Sequence, residues 1–371
     1  MLKLAHVLTL CICLNAEQRF LQEESPRYAL SLRARSRESQ EKSNMLSLLS
    51  SHHRFLQQGS PVLLEVQKSA AGLKNFFNTQ FVATVGIGSP PQYLDVILDT
   101  GSANFWINSE ICQDFACRQQ SRYDHEKSKE FSELGYFVEV VFGTGQVNGE
   151  INEDIVEIAG IQVTHQRLGE IASMEGDVFN DAKFSGILGL AFPTMAAFGF
   201  QPVFDSLMKN EELPSNIFTF YYSFNPEEDS KVTFGWLDES KFKGDITWAN
   251  VIKGKEYYWL IEVDNIRLGD KDLGLCKKGC RAAVDTGTTL LAAPTESASK
   301  LLYTLNLEEN CSAFEALPDL IFTISGQDFA VPARDYVLTA SKDGNDDAPG
   351  IHSAEVTDCT LALMPMDIPK P

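Results

Sequence analysis

At 371 residues the chain is long enough for two domains with sizeable cores, and 44% hydrophobic with 22% charged content is ordinary for a globular protein. A net charge of −20 argues against nucleic acid as a partner. The charge is uneven, because the leader up to residue 72 is slightly basic while the remainder holds the acidic excess. Two such parts attract near neutral pH and loosen as carboxylates protonate.

Residues 1–16 read as a secretory signal: one early Lys3, then an apolar run too short to span a membrane, with cleavage expected near Ala16. No membrane span is expected elsewhere. Cys11 and Cys13 belong to that signal, leaving Cys112, Cys117, Cys276, Cys280, Cys311 and Cys359, an even set that suits an oxidising compartment. Local spacing favours the pairs Cys112–Cys117, Cys276–Cys280 and Cys311–Cys359. No His pair follows at finger spacing, and no His-Glu-x-x-His occurs, so neither metal nor cofactor is expected. Residues 17–72, rich in Ser, Gln, Arg and Glu, read as a pro-segment that orders only by packing on the body.

From Phe76 the pattern changes to short alternating strands, Phe81–Val85 and Leu94–Leu98, joined by a turn over Gly88–Gln92. Asp99-Thr100-Gly101-Ser102 follows, then Phe105-Trp106. Tyr136–Phe142 and the glycine-rich Gly143-Thr144-Gly145 predict a hairpin tip, and the lack of a following helix argues against phosphate binding there. Strands follow over Ile151–Gln166, then the apolar-Gly segment Phe184–Leu190, a helix over Pro202–Lys209, and strands over Phe218–Phe224 and Lys231–Trp236. A second lobe is expected from Ile246, with strands over Tyr257–Val263 and Asn265–Leu268, a helix over Thr295–Leu305, and a hairpin of Ile321–Ile324 with Phe329–Val331. Asn310-Cys311-Ser312 is a formal glycosylation sequon.

One stretch recurs: Asp285-Thr286-Gly287-Thr288-Thr289 repeats Asp99-Thr100-Gly101-Ser102, and each copy is entered from a β-rich apolar run. Two acids in matching strand-turn settings imply two lobes that present carboxylates to each other across a cleft. Like charges about 3 Å apart cannot both ionise, so such a pair holds one proton between them and is acid and base together. That suits attack of an activated water on an amide without metal or covalent intermediate. Ser102 and Thr288 stand where a hydroxyl can orient each carboxylate.

From about Phe76 to Pro371 the chain resembles the pepsin-like aspartic proteases, in the pattern of cathepsin D, cathepsin E and the plasmepsins. The resemblance rests on the two Asp-Thr-Gly motifs, Phe142-Gly-Thr-Gly145, Phe184–Leu190 and the six cysteines. It implies a mainly β, bilobal fold with short helices, an N-terminal lobe over 73–245 and a C-terminal lobe over 246–371. The implied catalytic pair is Asp99 and Asp285, oriented by Ser102, Thr288, Gly101 and Gly287. The implied flap and substrate positions are Phe142, Gly143, Thr144, Gly145, Trp106, Ile97, Ile187, Tyr258 and Thr289. Phe142 stands where the family has Tyr, and Ser185 where it has an acid. The function implied is a monomeric endopeptidase of the secretory pathway, secreted or in a lysosome-, vacuole- or endosome-like compartment. It would cut proteins and peptides beside hydrophobic residues at acid pH, and be made as a zymogen inhibited by its own pro-segment, with Arg54 or Lys68 as the covering cation. The family continues beyond the point that Pro371 corresponds to, with a second apolar-apolar-Gly strand. The alternative expectation is therefore a catalytically impaired protein that binds peptide in the same cleft.

Overall fold

Leu94, Val96 and Leu98 are buried along Gln92–Asp99 while the residues between them are less so, the period-two pattern of a strand with one face on a core. In the computed structural model this strand lies within an 11-stranded sheet. The structure describes residues 14–15, 68–76, 80–141, 145–176, 179–180, 182–210, 213–223, 225, 228–254, 256–307, 316–341 and 356–367. The remainder of the expected signal, Arg54, the tip residues Phe142, Gly143 and Thr144, the sequon at Asn310, and Cys311 lie outside the described residues.

The strand order across the large sheet is Leu14–Asn15, Ile217–Tyr221, Ser230–Phe234, Ser69–Phe76, Gln80–Ile87, Gln92–Asp99, Gly186–Gly189, Phe105–Asn108, Ile161–Glu175, Gln146–Ile158 and Ser132–Val141. Gln80–Ile87 turns into Gln92–Asp99 through a bend where Gly88 has φ 85° and Ser89–Pro90 is cis. Two pairings in this sheet are parallel: Gln92–Asp99 with Gly186–Gly189, and Phe105–Asn108 with Ile161–Glu175. The first brings Asp99 opposite Gly189, the second Trp106 opposite Gly169. Residues 69–72 of the expected pro-segment are already part of the sheet, paired with the Ser230–Phe234 strand.

Beneath the sheet, Val85, Ile87, Leu98, Phe218, Phe234 and Trp259 belong to one apolar core. A second core gathers Leu268, Leu301, Leu305, Leu320, Tyr336 and Leu361. It is built from a four-stranded sheet around Leu320–Ile324, Leu291–Ala293 parallel to Leu363–Pro365, and Val337–Ser341 with Val356–Leu361, and a separate two-stranded sheet pairs Leu260–Val263 with Cys280–Ala283. The helix Thr295–Leu305 buries Ala298, Leu301 and Leu305 and ends on Asn306 in the left-handed region, a common way to stop a helix.

The reading of Tyr257–Val263 as one strand is corrected, since the strand begins at Leu260. Trp259 is 1% exposed, packs on Phe192 and Phe218, and donates from Nε1 to the Leu190 carbonyl at 2.9 Å. Its ring is therefore anchored in the first core, while Tyr257 and Tyr258 face solvent. Val251 packs in the first core as well. Cys112–Cys117 and Cys276–Cys280 are bridged, and Cys359 is disulfide-bonded. Among the described residues no helix is long and apolar enough to cross a membrane, and no group of His, Cys, Asp and Glu could hold a metal ion.

Candidate active site

Asp99 is the last residue of its strand, and the chain turns through Thr100 and Gly101 before entering Phe105–Asn108. That turn lets its carboxylate accept from two groups of its own motif: the Gly101 amide to Oδ1 at 2.7 Å and the Ser102 hydroxyl to Oδ2 at 2.5 Å. Asp285 repeats the arrangement, with the Gly287 amide at 2.8 Å and the Thr288 hydroxyl at 2.7 Å. The two carboxyls face each other across the paired turns, close enough for the charge of Asp285 to act on Asp99. A Cβ placed on Gly101 would collide with the Asp285 carboxylate, and one on Gly287 with that of Asp99. Each glycine thus makes room for the acid of the other lobe.

The threonines between Asp and Gly tie the two turns together. Thr100 Oγ1 donates to the Val284 carbonyl at 2.8 Å and accepts from the Thr286 amide at 2.9 Å. Thr286 Oγ1 donates to the Leu98 carbonyl at 2.6 Å and accepts from the Thr100 amide at 3.0 Å. Four bonds related by an approximate two-fold fix the spacing of the acids. Sequence reasoning overlooked this pair, although a hydroxyl at the same place in both copies was the signal.

The two acids differ in surroundings. Asp99 is 8% exposed, and its strand is flanked by Gly186–Gly189, where the Leu190 amide donates to the Asp99 carbonyl at 2.7 Å. Asp285 is half-buried, and among the described residues the preceding strand Cys280–Ala283 pairs only with Leu260–Val263. Burial first, then the charge of Asp285, raises the Asp99 carboxyl far above the ordinary aspartate range, against the lowering bonds from Ser102 and Gly101. An acid so placed keeps its proton where an exposed one has lost it.

Tyr222 was also missed by sequence reasoning. Its phenol is held up by burial and by the charges of Asp285 and Asp99, so it stays neutral beside the pair. Its ring lies 4.5 Å from that of Phe81 and stacks on Phe220. In the run Phe-Tyr-Tyr nothing distinguishes this ring from a core aromatic.

Trp106 is buried with Val147, Ile171 and Phe179, and Phe184 meets its ring edge-on at 6.3 Å. Val147 belongs to the hairpin Ser132–Val141 and Gln146–Ile158 and stands next to its closing pair, Val141 opposite Gln146, so Trp106 packs beneath the closing end of that hairpin. Gly145, at its described end, approaches the Glu175 backbone and the Phe179 ring too closely for a Cβ. Ile97 and Ile187 are register partners, both half-buried. Tyr258 is 40% exposed. Thr289 is exposed too. Lys68 lies 4.9 Å over the Trp236 ring.

Chemically, two facing carboxyls with one raised can donate a proton from one and take one with the other. The family described as "Eukaryotic aspartyl protease" matches residues 80–358. Pepsin A of Suncus murinus is 34% identical over 307 residues, covering 81% of this chain and 75% of that protein. Pepsin A of Bos taurus is 36% identical over 277 residues, covering 72% and 74%. Pepsin II-1 of Oryctolagus cuniculus is 35% identical over 283 residues, covering 74% and 72%.

Proposed function

The chain belongs to the pepsin-like family of eukaryotic aspartyl proteases, and from that premise we propose that it is an acid endopeptidase whose catalytic pair is Asp99 and Asp285. The observation that carries this reading is the reciprocal fit in which each motif's glycine accommodates the other motif's carboxylate. Asp99, the buried member, holds the shared proton and donates it to the carbonyl oxygen of the scissile amide. Asp285 takes a proton from the attacking water. The tetrahedral intermediate then collapses as the leaving nitrogen is protonated, with no covalent enzyme intermediate. Gly101, Gly287, Ser102 and Thr288 keep the carboxylates in place throughout.

Half-buried Ile97 and Ile187 near the pair, with Trp106 beneath the hairpin, favour apolar side chains on either side of the cut. Phe142, Gly143, Thr144 and Gly145 form the proposed flap, and Tyr258 with Thr289 the outer cleft. We assign residues 1–16 to a signal and the basic leader after it to an inhibitory pro-segment. The disulfides support passage through the secretory pathway, to secretion or to a lysosome-like compartment. The lesser burial of Asp285 supports a second reading, a catalytically impaired cleft that binds peptide without cutting it.

Cleavage of a protein substrate by purified full-length chain between about pH 3 and about pH 7, beside Asp99→Ala and Asp285→Ala, decides between them. Acid-dependent cleavage lost in both variants supports the protease. Peptide binding without any cleavage supports the binder, and cleavage unchanged in either variant removes the catalytic pair.

A further inference from the structure

The Glu170 side chain has no exposed surface, yet three elements converge on it. Ser109, just after Phe105–Asn108, donates from Oγ to Oε2 at 3.0 Å. Asn152, on the hairpin strand, donates from Nδ2 to Oε1 at 2.9 Å. His125 Nδ1 lies 2.9 Å from Oε2, and its ring stacks on Phe131 at 4.5 Å. A buried carboxylate is costly to keep charged without a counterion, and His125 is the basic group in contact with it.

The two ends of this pair differ in access to water. Glu170 is dry, whereas the His125 side chain is 32% exposed and lines a cavity of about 470 Å³ with Ser109, Glu110, Asp124, Glu126 and Lys127. Protons therefore reach the imidazole from solvent while the carboxylate is buried away from it. The pair also sits in the framework of the cleft. Glu170 is opposite Ile107 in the strand that carries Trp106, and opposite Glu150 in the hairpin strand. We propose that His125 and Glu170 form a proton-operated clasp, closed in acid and released as pH rises, which holds the hairpin and the Trp106 strand together. This gives the cleft a regulation by pH that is separate from the titration of its carboxyls, and its link to peptide cleavage rests on the protease reading.

The neighbouring charges favour the protonated ring. Glu110 is paired with Arg122, Asp124 with Lys127, and Asp154 accepts from the Tyr123 hydroxyl, while Glu126 lines the same cavity as His125. Burial alone would lower the imidazole, but the hydrogen bond and charge of Glu170, with Asp124 and Glu126 adding to them, carry it above the ordinary histidine value. A group raised on folding stabilises fully below its unfolded pKa, about 6.5 for histidine, and that contribution is lost as pH rises through the folded value.

The test is thermal unfolding of the full chain between about pH 5 and about pH 9, made in an Asp99→Asn background so that the raised Asp99 carboxyl contributes no titration. The wild-type clasp predicts a midpoint that falls across the neutral range, and Glu170→Gln should reduce that fall by at least half. His125→Gln should do the same, and serves if the first variant does not fold. In the NMR spectrum, the His125 Cε1 proton should titrate above the free-histidine value, and move down to it in Glu170→Gln. An equal fall in both variants, or a His125 titration at the ordinary value in the parent, overturns the clasp. None of these readings needs peptide cleavage, so loss of the protease reading would leave the result interpretable.

Discussion

Replacing Thr286 by Val keeps the shape of the side chain and removes only the hydroxyl that bridges the lobes. The Leu98 carbonyl then loses its donor at 2.6 Å and the Thr100 amide its acceptor at 3.0 Å. Both belong to residues at most 2% exposed, so water has little access to either. An unsatisfied buried polar group costs about 1–3 kcal/mol, which puts the loss at roughly 2–6 kcal/mol if neither group finds a new partner. Thr100→Val strips the Val284 carbonyl and the Thr286 amide instead. Both of those residues are half-buried, and water can replace part of what is lost. Thr286→Val should therefore unfold at a lower temperature than Thr100→Val, by several degrees at about 2–4 °C per kcal/mol. A misplacement of about 1 Å between the acids lowers turnover on the order of a hundredfold, so kcat should fall in both variants, and Thr286→Ser should restore most of it. The measurements are kcat on a peptide substrate and calorimetric unfolding at acid pH. Equal stability of the two valine variants, or kcat within twofold of the parent in Thr286→Val, would refute the claim that these hydroxyls set the spacing.

Three further outcomes follow from particular contacts. Gly287→Ala drives a methyl into the Asp99 carboxylate, and kcat should drop by about a hundredfold or more while the far-ultraviolet circular dichroism is unchanged; normal turnover would show that the collision is relieved cheaply. Trp259→Phe removes the donor to the Leu190 carbonyl and should cost about 1–3 kcal/mol in denaturant unfolding, whereas no change would mean that another donor replaces it. The Lys231 ammonium, then Ser240, holds the Asp238 carboxyl down at about 2. The stability from this group is present above the unfolded carboxylate value and is lost as pH falls through about 2, so Asp238→Asn should lower the unfolding midpoint near about pH 5 and leave it unchanged near about pH 1; a constant difference across that range would remove the ion pair as its cause.

Much of the architecture was legible because its signals are local. The period-two burial of Gln92–Asp99 and the span Thr295–Leu305 follow from apolar spacing, and the duplicated acid motif announced two lobes. What the sequence concealed depends on long-range partners. Thr100 and Thr286 read as ordinary turn residues until each is seen to bond the other lobe's backbone. Tyr222 looks like its neighbours until the fold sets it beside the two carboxyls. Trp259 read as part of a strand, and leaves that pattern because its indole is bound in the core of the first half. Glu170 had no pattern at all, since its three partners lie on different elements.

Ser69–Phe76 is stitched along one edge to Gln80–Ile87, its neighbour in sequence, and along the other to Ser230–Phe234, which arrives much later in the chain. A nascent polypeptide can form the first seam almost at once but must wait for most of a lobe to be synthesised before the second can close. During that interval the strand offers bare amides and carbonyls to any extended segment nearby. Renaturation of the body should accordingly be slow, as for other topologies dominated by distant pairings, and sensitive to whatever sequence precedes Ser69.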